Sequence, residues 1–247
     1  MRIALFADVH SNLDALTACL QHARAQGFDA LAFVGDLVGY NADPLPVLDL
    51  VVAEAERGAI VVKGNHDAAA VEGPSPHMDP VAAEAIEWTR ARLGESHRAF
   101  ISALPLLVQR EGATFVHASA AWPESWIYVS DAQRAMESLH AAGTPWVFSG
   151  HVHEQALYFS GTSRSATRFQ PVPGTPVPVP ARRAWLAIVG SAGQPRDGNT
   201  AACYALFDMD RATLTFFRVP YDCDAAARKV RASGLPARLA RRLEQGR

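Results

Sequence analysis

The chain has 247 residues, of which 49% are hydrophobic and 19% charged, and its formal net charge is −2. This balance excludes a disordered chain, and the near-neutral charge excludes a protein whose whole surface attracts phosphate. Three scattered cysteines, Cys19, Cys203 and Cys223, are too few for a disulfide framework or a cysteine-based zinc site. The nine histidines instead direct attention to metal binding through imidazole nitrogen.

Short apolar runs and amphipathic stretches alternate in the first third of the chain. Strands are predicted where the sequence is continuously apolar, over residues 2–7, 30–34 and 59–62. The first intervening helix is predicted to be capped by Ser11 or Asn12 and to end at Gly27, and the second covers 44–57. Continuous apolar strands separated by helices predict a parallel sheet covered on both faces.

The rest of the chain combines helices with hairpins. Helical periodicity covers residues 79–93, 96–103 and 130–142. Further strands are predicted over residues 105–110, 113–118, 145–149, 154–159, 183–189, 202–208 and 213–219. Residues 160–182 are predicted as a surface loop or long hairpin, because five of the sixteen prolines fall in 171–180. Residues 221–247 predict a C-terminal helical segment, and the whole of 1–247 is expected to form one domain.

Nothing in the sequence predicts contact with a membrane. No apolar run approaches the roughly 18 residues of a membrane span. Asp8 and His10 interrupt the apolar N-terminus too early for a signal-peptide core. The expectation is therefore a cytoplasmic protein. Its oligomeric state is left open, with a homodimer as one alternative.

Polar clusters follow several of the predicted strands directly. They are Asp8-Val9-His10, Gly35-Asp36, Gly64-Asn65-His66-Asp67, His117, and Gly150-His151-Val152-His153. Asp8 and Asp36 are 28 residues apart, and Asp36 and Asn65 are 29 apart. This regular spacing places the first three clusters at one edge of the sheet, at the carboxyl ends of the strands, where open α/β sheets carry their sites.

The side chains in these clusters offer carboxylate, amide and imidazole but no sulfur. Such a set suits Mn²⁺, Fe, Zn²⁺, Co²⁺ or Ni²⁺ better than Ca²⁺ or Cu⁺. A carboxylate in the middle of the set can bridge two cations. Two ions about 3.5–4 Å apart can activate a water and hold both oxygens of an in-line displacement at phosphorus.

In their order along the chain, these motifs resemble the five signatures of calcineurin-like metallophosphoesterases. The stretches 7–16, 35–40 and 190–198 are similar to the small phosphodiesterase branch found in bacteria and archaea. The resemblance covers about residues 1–220. It implies an α/β (α+β) four-layer sandwich, in which two mixed β-sheets pack face to face with helices outside.

The resemblance also implies a cofactor of two divalent transition-metal ions, with Mn²⁺ expected first and Fe, Zn, Ni or Co as alternatives. It assigns Asp8, His10 and His153 to one ion and Asn65, His117 and His151 to the other, with Asp36 and a nucleophilic water or hydroxide bridging them. His66 would stand near the phosphate, stabilise the transition state and protonate the leaving oxygen. Asp67 would orient the His66 ring, with a helix N-cap as the alternative role.

Three further residues are candidates for substrate binding. Arg196 is predicted to contact the substrate phosphate, because a guanidinium fits phosphate bidentately. Asn12 and Tyr40 stand just beyond metal motifs and are predicted to line the pocket, with loop or capping roles as the alternative. The arginines Arg164, Arg168, Arg182 and Arg183 are predicted to be solvated loop charges, with contact to nucleic acid or acidic lipid as the alternative.

The predicted reaction is hydrolysis of a small-molecule or nucleotide phosphate ester directly by water, with a diester favoured over a monoester. A nuclease acting on single strands is the first alternative. The charge of −2 and the lack of interleaved aromatic and basic residues argue against it. A non-catalytic scaffold is the second alternative, and the filled ligand positions argue against that one. Residues 72–80 and 160–182 are expected to shape substrate choice.

Overall fold

The computed structural model describes residues 1–161 and 165–247, in which two six-stranded β-sheets are accompanied by eight α-helices. The strands are β1 (Arg2–Phe6), β2 (Ala30–Val34), β3 (Ile60–Val62), β4 (Leu107–Arg110), β5 (Ala113–Val116), β6 (Trp146–Ser149), β7 (Ala156–Ser160), β8 (Ala166–Phe169), β9 (Pro176–Pro178), β10 (Trp185–Ile188), β11 (Ala202–Asp208) and β12 (Thr213–Val219). The helices are α1 (Leu13–Gln26), α2 (Pro44–Glu56), α3 (Asn65–Glu72), α4 (Pro80–Arg90), α5 (Glu95–Ala103), α6 (Ala132–Ala142), α7 (Cys223–Ala232) and α8 (Ala237–Gln245).

Both sheets are mixed. The first has the strand order β3-β2-β1-β11-β12-β9, and the second has the order β4-β5-β6-β10-β7-β8. In the first sheet, β1, β2 and β3 run parallel, as the alternation of apolar strands and helices predicted. Antiparallel strands complete that sheet, while in the second sheet β5, β6 and β10 form the parallel part. The parallel strands of the first sheet bring their carboxyl ends to one edge.

The core lies between the two sheets, which confirms the predicted face-to-face packing. Leu5 and Phe207 of the first sheet and Phe115 and Phe148 of the second are fully or almost fully buried in one cluster. The Phe148 and Phe207 rings meet across this interface with centroids 5.1 Å apart. Helices α1 and α2 pack on the outer face of the first sheet, and α6 packs on the outer face of the second. This is the four-layer arrangement expected from the resemblance.

Local sequence signals set the ends of the helices. Asn12 caps α1 by accepting a hydrogen bond from the Ala15 amide at 3.1 Å, and Gly27 follows its last turn with φ 77°. Asp79 and Asp131 cap α4 and α6 in the same way as Asn12. Helix α3 was not predicted. It begins inside the Asn65-His66-Asp67 motif, so this motif is helical and not a loop.

The proline-rich segment 160–182 contributes one short strand to each sheet, which the prediction of a loop or hairpin did not include. Strand β8 pairs with β7, and β9 pairs with β12. Strand β9 is the last strand of its sheet, and proline is tolerated at such an edge because no ladder hydrogen bond is lost. Arg168, Arg182 and Arg183 are exposed, as expected for solvated charges, whereas Arg164 lies outside the described residues.

The C-terminal segment forms a helical hairpin of α7 and α8, and its turn falls at the predicted break near Gly234. Lys229 of α7 reaches two carboxylates, Asp14 at 2.8 Å and Asp43 at 3.1 Å. Apolar residues of both helices form a cluster with α4 and with the buried side chain of Tyr40. Among the described residues, no helix has the length and apolar character that a membrane crossing requires.

Candidate metal centre and adjoining cleft

The loops that follow β1 and β2 are joined by backbone hydrogen bonds. The amide of Asp8 donates to the carbonyl of Gly35 at 3.0 Å, and the amide of His10 donates to the carbonyl of Asp36 at 2.9 Å. Five of the seven predicted metal ligands have left-handed backbones, with φ between 47° and 68°: Asp8, His10, Asp36, His151 and His153. Such conformations are unfavourable for residues other than glycine, and they cluster where a site needs side chains in fixed positions.

Two glycines allow the loops to approach each other closely. A Cβ atom on Gly64 would lie 2.2 Å from the backbone nitrogen of Asp36. A Cβ atom on Gly150 would lie 2.8 Å from a carboxylate oxygen of Asp8. A side chain at either position would collide with Asp36 or Asp8, so only glycine fits there.

The first group of potential metal ligands contains Asp8, His10, Asp36 and His153. One ligand atom from each lies within 4.8 Å of all the others, and all four side chains are buried. The Nε2 atoms of His10 and His153 are 3.1 Å apart. Asp36 Oδ2 lies 3.5 Å from His10 Nε2, and Asp8 Oδ1 lies 3.5 Å from His153 Nε2.

The second group contains Asp36, His117 and His151, which satisfy the same distance criterion. Nε2 of His117 lies 3.2 Å from Nδ1 of His151 and 3.4 Å from Oδ2 of Asp36. The side-chain oxygen of Asn65 is 3.1 Å from the same His117 nitrogen. The structure therefore brings together all seven residues that the resemblance assigned to metal binding, with Asp36 common to both groups.

Each of the four histidines in these groups uses its other ring nitrogen to hydrogen-bond a backbone carbonyl. His10 Nδ1 donates to Val38, His117 Nδ1 to Val34, His151 Nε2 to Trp126 and His153 Nδ1 to Gln194, over 2.7–3.1 Å. These bonds fix the tautomers, so that unprotonated nitrogens converge on the carboxylates. Lone pairs facing one another in this way fit a cation between them, and the donor set suits a divalent transition metal.

The pKa shifts of Asp8 and His117 also indicate that this site fits a cation. Burial raises the pKa of Asp8 to about 7, because the charged form has lost its water. Burial opposes a charge on His117 too, yet the adjacent Asp36 carboxylate raises the pKa of that histidine to about 9. In the metal-free protein Asp36 therefore favours a proton on His117, and a metal ion bound there would replace that proton and leave the ring neutral.

His66 belongs to neither group and lies on the wall beside them. Its ring packs against Tyr40 and His10, with centroids 4.4 Å and 4.8 Å away. Nδ1 of His66 is buried and has no hydrogen-bond partner among the described residues. Burial lowers the pKa of His66 to about 4. Through its backbone amide, which donates to Asp36 Oδ1 at 2.8 Å, His66 is also fixed to the shared carboxylate.

Asp67 does not make the predicted hydrogen bond to the His66 ring. Its Oδ1 accepts from the backbone amides of Leu37 at 2.9 Å and Val38 at 3.2 Å. Its Oδ2 accepts from the amide of Gly64 at 2.9 Å, at the start of α3. Asp67 thus holds two loops of the site together and satisfies the helix end, which is closer to the alternative capping role.

We expect Asp67→Ala to lower the free energy of unfolding by about 2–3 kcal/mol, because three buried amides lose their acceptor. The measurement is urea unfolding in the presence of a chelator, so that metal binding does not contribute. Asp131→Ala is the matched control, since exposed Asp131 also accepts from two amides at a helix start. That cap is worth about 1 kcal/mol. Equal losses for the two variants would contradict the bracing role of Asp67.

Of the three predicted substrate contacts, Asn12 is placed elsewhere. Its amide oxygen caps α1, and its amide nitrogen donates to the Gly193 carbonyl at 2.8 Å and the Tyr221 hydroxyl at 3.2 Å. Asn12 is buried with both polar atoms occupied, which matches the alternative capping role and leaves neither atom free for a substrate.

Tyr40 and Arg196 do lie beside the candidate metal centre. Nη2 of Arg196 is 3.4 Å from the Tyr40 hydroxyl, and its guanidinium carbon is 5.6 Å from the centroid of the Tyr40 ring. Nε of Arg196 is buried without a hydrogen-bond partner in the described part of the chain. Nη2 also donates to the side-chain oxygen of Gln194 at 3.3 Å. Arg196 as a whole is partly exposed, and a guanidinium held in this way fits contact with an anionic substrate.

A cleft of about 420 Å³ opens from Asn65, His66 and His151. One wall is formed by α3 and the segment before α4, which includes much of the stretch 72–80 that was expected to shape substrate choice. The opposite wall contains Trp126 and Tyr128, which were not predicted as site residues. The aromatic residues at 122, 126 and 128, which follow His117 closely in the sequence, were the available signal.

This chain belongs to the calcineurin-like phosphoesterase superfamily, whose domain model matches residues 1–212. The match confirms the family suggested by the five motifs.

Two relatives and a third protein of the same fold are similar to this chain over nearly its whole length. An uncharacterized protein of Methanocaldococcus jannaschii is 30% identical over 250 residues, which is 99% of this chain and 98% of that protein. The crystal structure of a metallophosphoesterase from Sphaerobacter thermophilus has a TM-score of 0.88 at 34% identity, covering 100% of this chain and 99% of the other. A hypothetical protein from Pyrococcus horikoshii OT3 shares the fold with a TM-score of 0.77 at 17% identity, covering 100% and 98%.

Proposed function

We propose that this protein is a hydrolase of phosphate diesters that uses two divalent transition-metal ions. The observation that carries the proposal is the position of Asp36, whose Oδ2 lies within 3.5 Å of ligand nitrogens from both groups of buried side chains. The residues that would hold the first ion are Asp8, His10, Asp36 and His153, and those for the second are Asp36, Asn65, His117 and His151. Two ions in such a site activate a water and neutralise charge on the phosphate oxygens.

The protein's own side chains would complete the site. Arg196 would bind a free phosphate oxygen with its unused donors, and Tyr40 would hold the guanidinium in place. His66 lies between the shared carboxylate and the cleft, where it would contact the phosphate. The anionic phosphate would raise the lowered pKa of the ring, so that His66 could donate a proton to the leaving oxygen. Asp67 would position the Leu37 and Gly64 loops and take no part in proton transfer.

The preference for a diester over a monoester rests on the resemblance of the stretches 7–16, 35–40 and 190–198 to the small phosphodiesterase branch. The cleft of about 420 Å³ joins the metal centre on the His66 side and has space for one ester substituent, which both classes of ester possess. The choice between them is therefore left to the assay below. Manganese is the first choice of metal, because carboxylate, amide and imidazole ligands suit it.

Metal removal tests the proposal. We expect dialysis against a chelator to abolish hydrolysis of bis-p-nitrophenyl phosphate, because the residues of the site have no other source of an activated water. Readdition of Mn²⁺ is expected to restore the rate. Metal binding at 100 times its dissociation constant also stabilises the fold by about 2.7 kcal/mol, so the melting temperature is expected to fall on chelation.

The same assay separates the alternatives when it is run as a panel. Mn²⁺, Ni²⁺, Co²⁺, Zn²⁺ and Mg²⁺ are each combined with bis-p-nitrophenyl phosphate, p-nitrophenyl phosphate and single-stranded DNA. Faster turnover of the diester than of the monoester supports the proposal, and efficient digestion of DNA favours the nuclease. A protein that elemental analysis shows to be free of metal, yet that hydrolyses the diester at the untreated rate, refutes the proposed function.

A further inference from the structure

The cleft beside the candidate metal centre has walls of a distinct chemistry. Tyr40, Trp126 and Tyr128 contribute aromatic rings, and Met78 and Ala69 contribute apolar surface. No lysine or arginine is among its lining residues in the part of the chain that the structure describes. About half of the lining residues are polar, so the aromatic and apolar surface is one part of the wall. Ligand sites have volumes of about 300–1,000 Å³, and the cleft falls in that range.

Tyr128 is placed to receive a planar group. Its ring lies parallel to the ring of His151, with centroids 3.8 Å apart and an interplanar angle of 17°. The residue is nevertheless 50% exposed, and His151 is the only ring that contacts it among the described residues, which leaves the other face for a ligand. Large aromatic side chains exposed at a cleft mark binding surfaces, because they offer stacking area at little conformational cost.

Charge is divided between the two sides of the site. Arg196 stands beside Tyr40 and interacts with the hydroxyls of both Tyr40 and Tyr128. The far part of the cleft contains the carboxylates of Glu72 and Asp79, and Asp79 uses one oxygen to cap α4. A phosphate is therefore favoured near Arg196, whereas a second anionic group is disfavoured in the cleft.

From these observations we infer that the cleft binds an uncharged aromatic substituent of the phosphate ester, such as a nucleoside or an aryl group, stacked on the open face of Tyr128. This inference rests on the proposed function and names the substrate class for it. Extended polynucleotides are disfavoured, because their next phosphates would meet Glu72 and not a basic residue.

Binding of phosphonates tests the inference without turnover. Phenylphosphonate and methylphosphonate carry the same anionic group, and their carbon–phosphorus bonds are not substrates for ester hydrolysis. By calorimetry with the Mn²⁺-loaded protein, we expect phenylphosphonate to bind at least about 10-fold more tightly, since stacking on an aromatic side chain contributes about 1–3 kcal/mol. Tyr128→Ala is expected to remove this preference, and Tyr128→Phe to keep it. The phenylalanine variant separates stacking from the contact between the hydroxyl and Arg196.

Trp122→Ala is the matched control, because Trp122 is an equally exposed aromatic residue of the same segment, at 46%, and does not line the cleft. It is expected to leave both affinities unchanged. 4-Carboxyphenylphosphonate is expected to bind more weakly than phenylphosphonate, owing to Glu72 and Asp79. Equal affinity for phenyl- and methylphosphonate, retention of the preference in Tyr128→Ala, or tighter binding of the carboxylated compound would overturn the inference.

Kinetics provide a second measurement and distinguish the two proposals. Phenylphosphonate and methylphosphonate serve as competitive inhibitors of bis-p-nitrophenyl phosphate hydrolysis, and only the first carries an aromatic group. Tyr128→Ala is expected to raise the inhibition constant about 10-fold for phenylphosphonate and less than 2-fold for methylphosphonate. Equal changes in the two inhibition constants would refute the aromatic subsite and leave the hydrolase intact. Absence of metal-dependent hydrolysis by the native protein would refute the proposed function, and the calorimetric phosphonate affinities would still decide the subsite.

Discussion

Asp36→Asn is expected to reduce hydrolysis of bis-p-nitrophenyl phosphate by at least about 10²–10³-fold, the scale on which loss of one preorganised electrostatic contact acts. Bound metal is expected to fall from two ions per chain to one or none. The reason is the shared position of Oδ2, which lies 3.5 Å from His10 Nε2 and 3.4 Å from His117 Nε2. Removal of its charge weakens both groups of ligands at once, whereas loss of any other ligand affects one.

Metal content by elemental analysis and turnover at saturating Mn²⁺ measure the two effects. Asparagine keeps the size of the side chain, and its oxygen can still accept from the His66 amide, so the variant is expected to fold. Without metal it is expected to melt lower than the metal-free native protein at neutral pH, because His117 loses the carboxylate that favours its charged form. Asp49→Asn is the control, since exposed Asp49 contacts only His97 among the residues described. Two bound ions and a native rate in Asp36→Asn would contradict the bridging role.

His66→Ala is expected to lower turnover about 10²-fold while metal content stays at two ions per chain. The His66 ring lines the cleft and contacts Tyr40 and His10, but it is in neither group of potential ligands. A group in that position acts on the substrate and not on the metal. The rate and the metal stoichiometry, measured on one preparation, therefore distinguish a catalytic residue from a ligand.

The control for this variant is His77→Ala, because His77 lines the same cleft on its exposed rim. Its rate is expected to stay within 2-fold of the native value. A loss of metal in His66→Ala would make His66 a ligand, and a native rate with full metal content would remove it from the reaction.

The sequence was most informative where local pattern and long-range geometry coincide. Continuous apolar strands predict a parallel arrangement, and parallel strands necessarily bring their carboxyl ends to one edge. The proximity of Asp8, Asp36 and Asn65 could therefore be predicted from spacing alone. His117 and His151 follow strands of the other sheet, so their place in the same centre came from the resemblance and not from periodicity.

Strand spacing could not predict whether the Asp67 carboxylate contacts the His66 ring. Neighbours in sequence look like partners, but α3 begins at Asn65, and successive residues of a helix point about 100° apart. Asp67 stands at the third position of that helix, where a carboxylate turns back to the amide that precedes the helix. The helix was not predicted, so the orientation of the aspartate was missed with it.

The aromatic wall was missed for a different reason. Trp126 and Tyr128 belong to a segment whose apolar residues show neither the helical nor the strand period. Periodicity therefore predicts no structure for this segment. Their place at the cleft depends on tertiary contacts: the Trp126 carbonyl accepts a hydrogen bond from His151, and the ring of the same histidine stacks on Tyr128. Trp126 itself has a left-handed backbone with φ 51°, which the residue type does not suggest.

The C-terminal hairpin has a consequence for where this protein can be shortened. The family match ends at residue 212, before α7 begins. Yet α7 and α8 bury Tyr40, Lys229 joins them to the starts of α1 and α2, and the carbonyl of Gly246 accepts a hydrogen bond from Gly198, close to Arg196. A recombinant fragment that ends at residue 212 would therefore lose the packing behind Tyr40 and Arg196, the two residues proposed to bind the substrate.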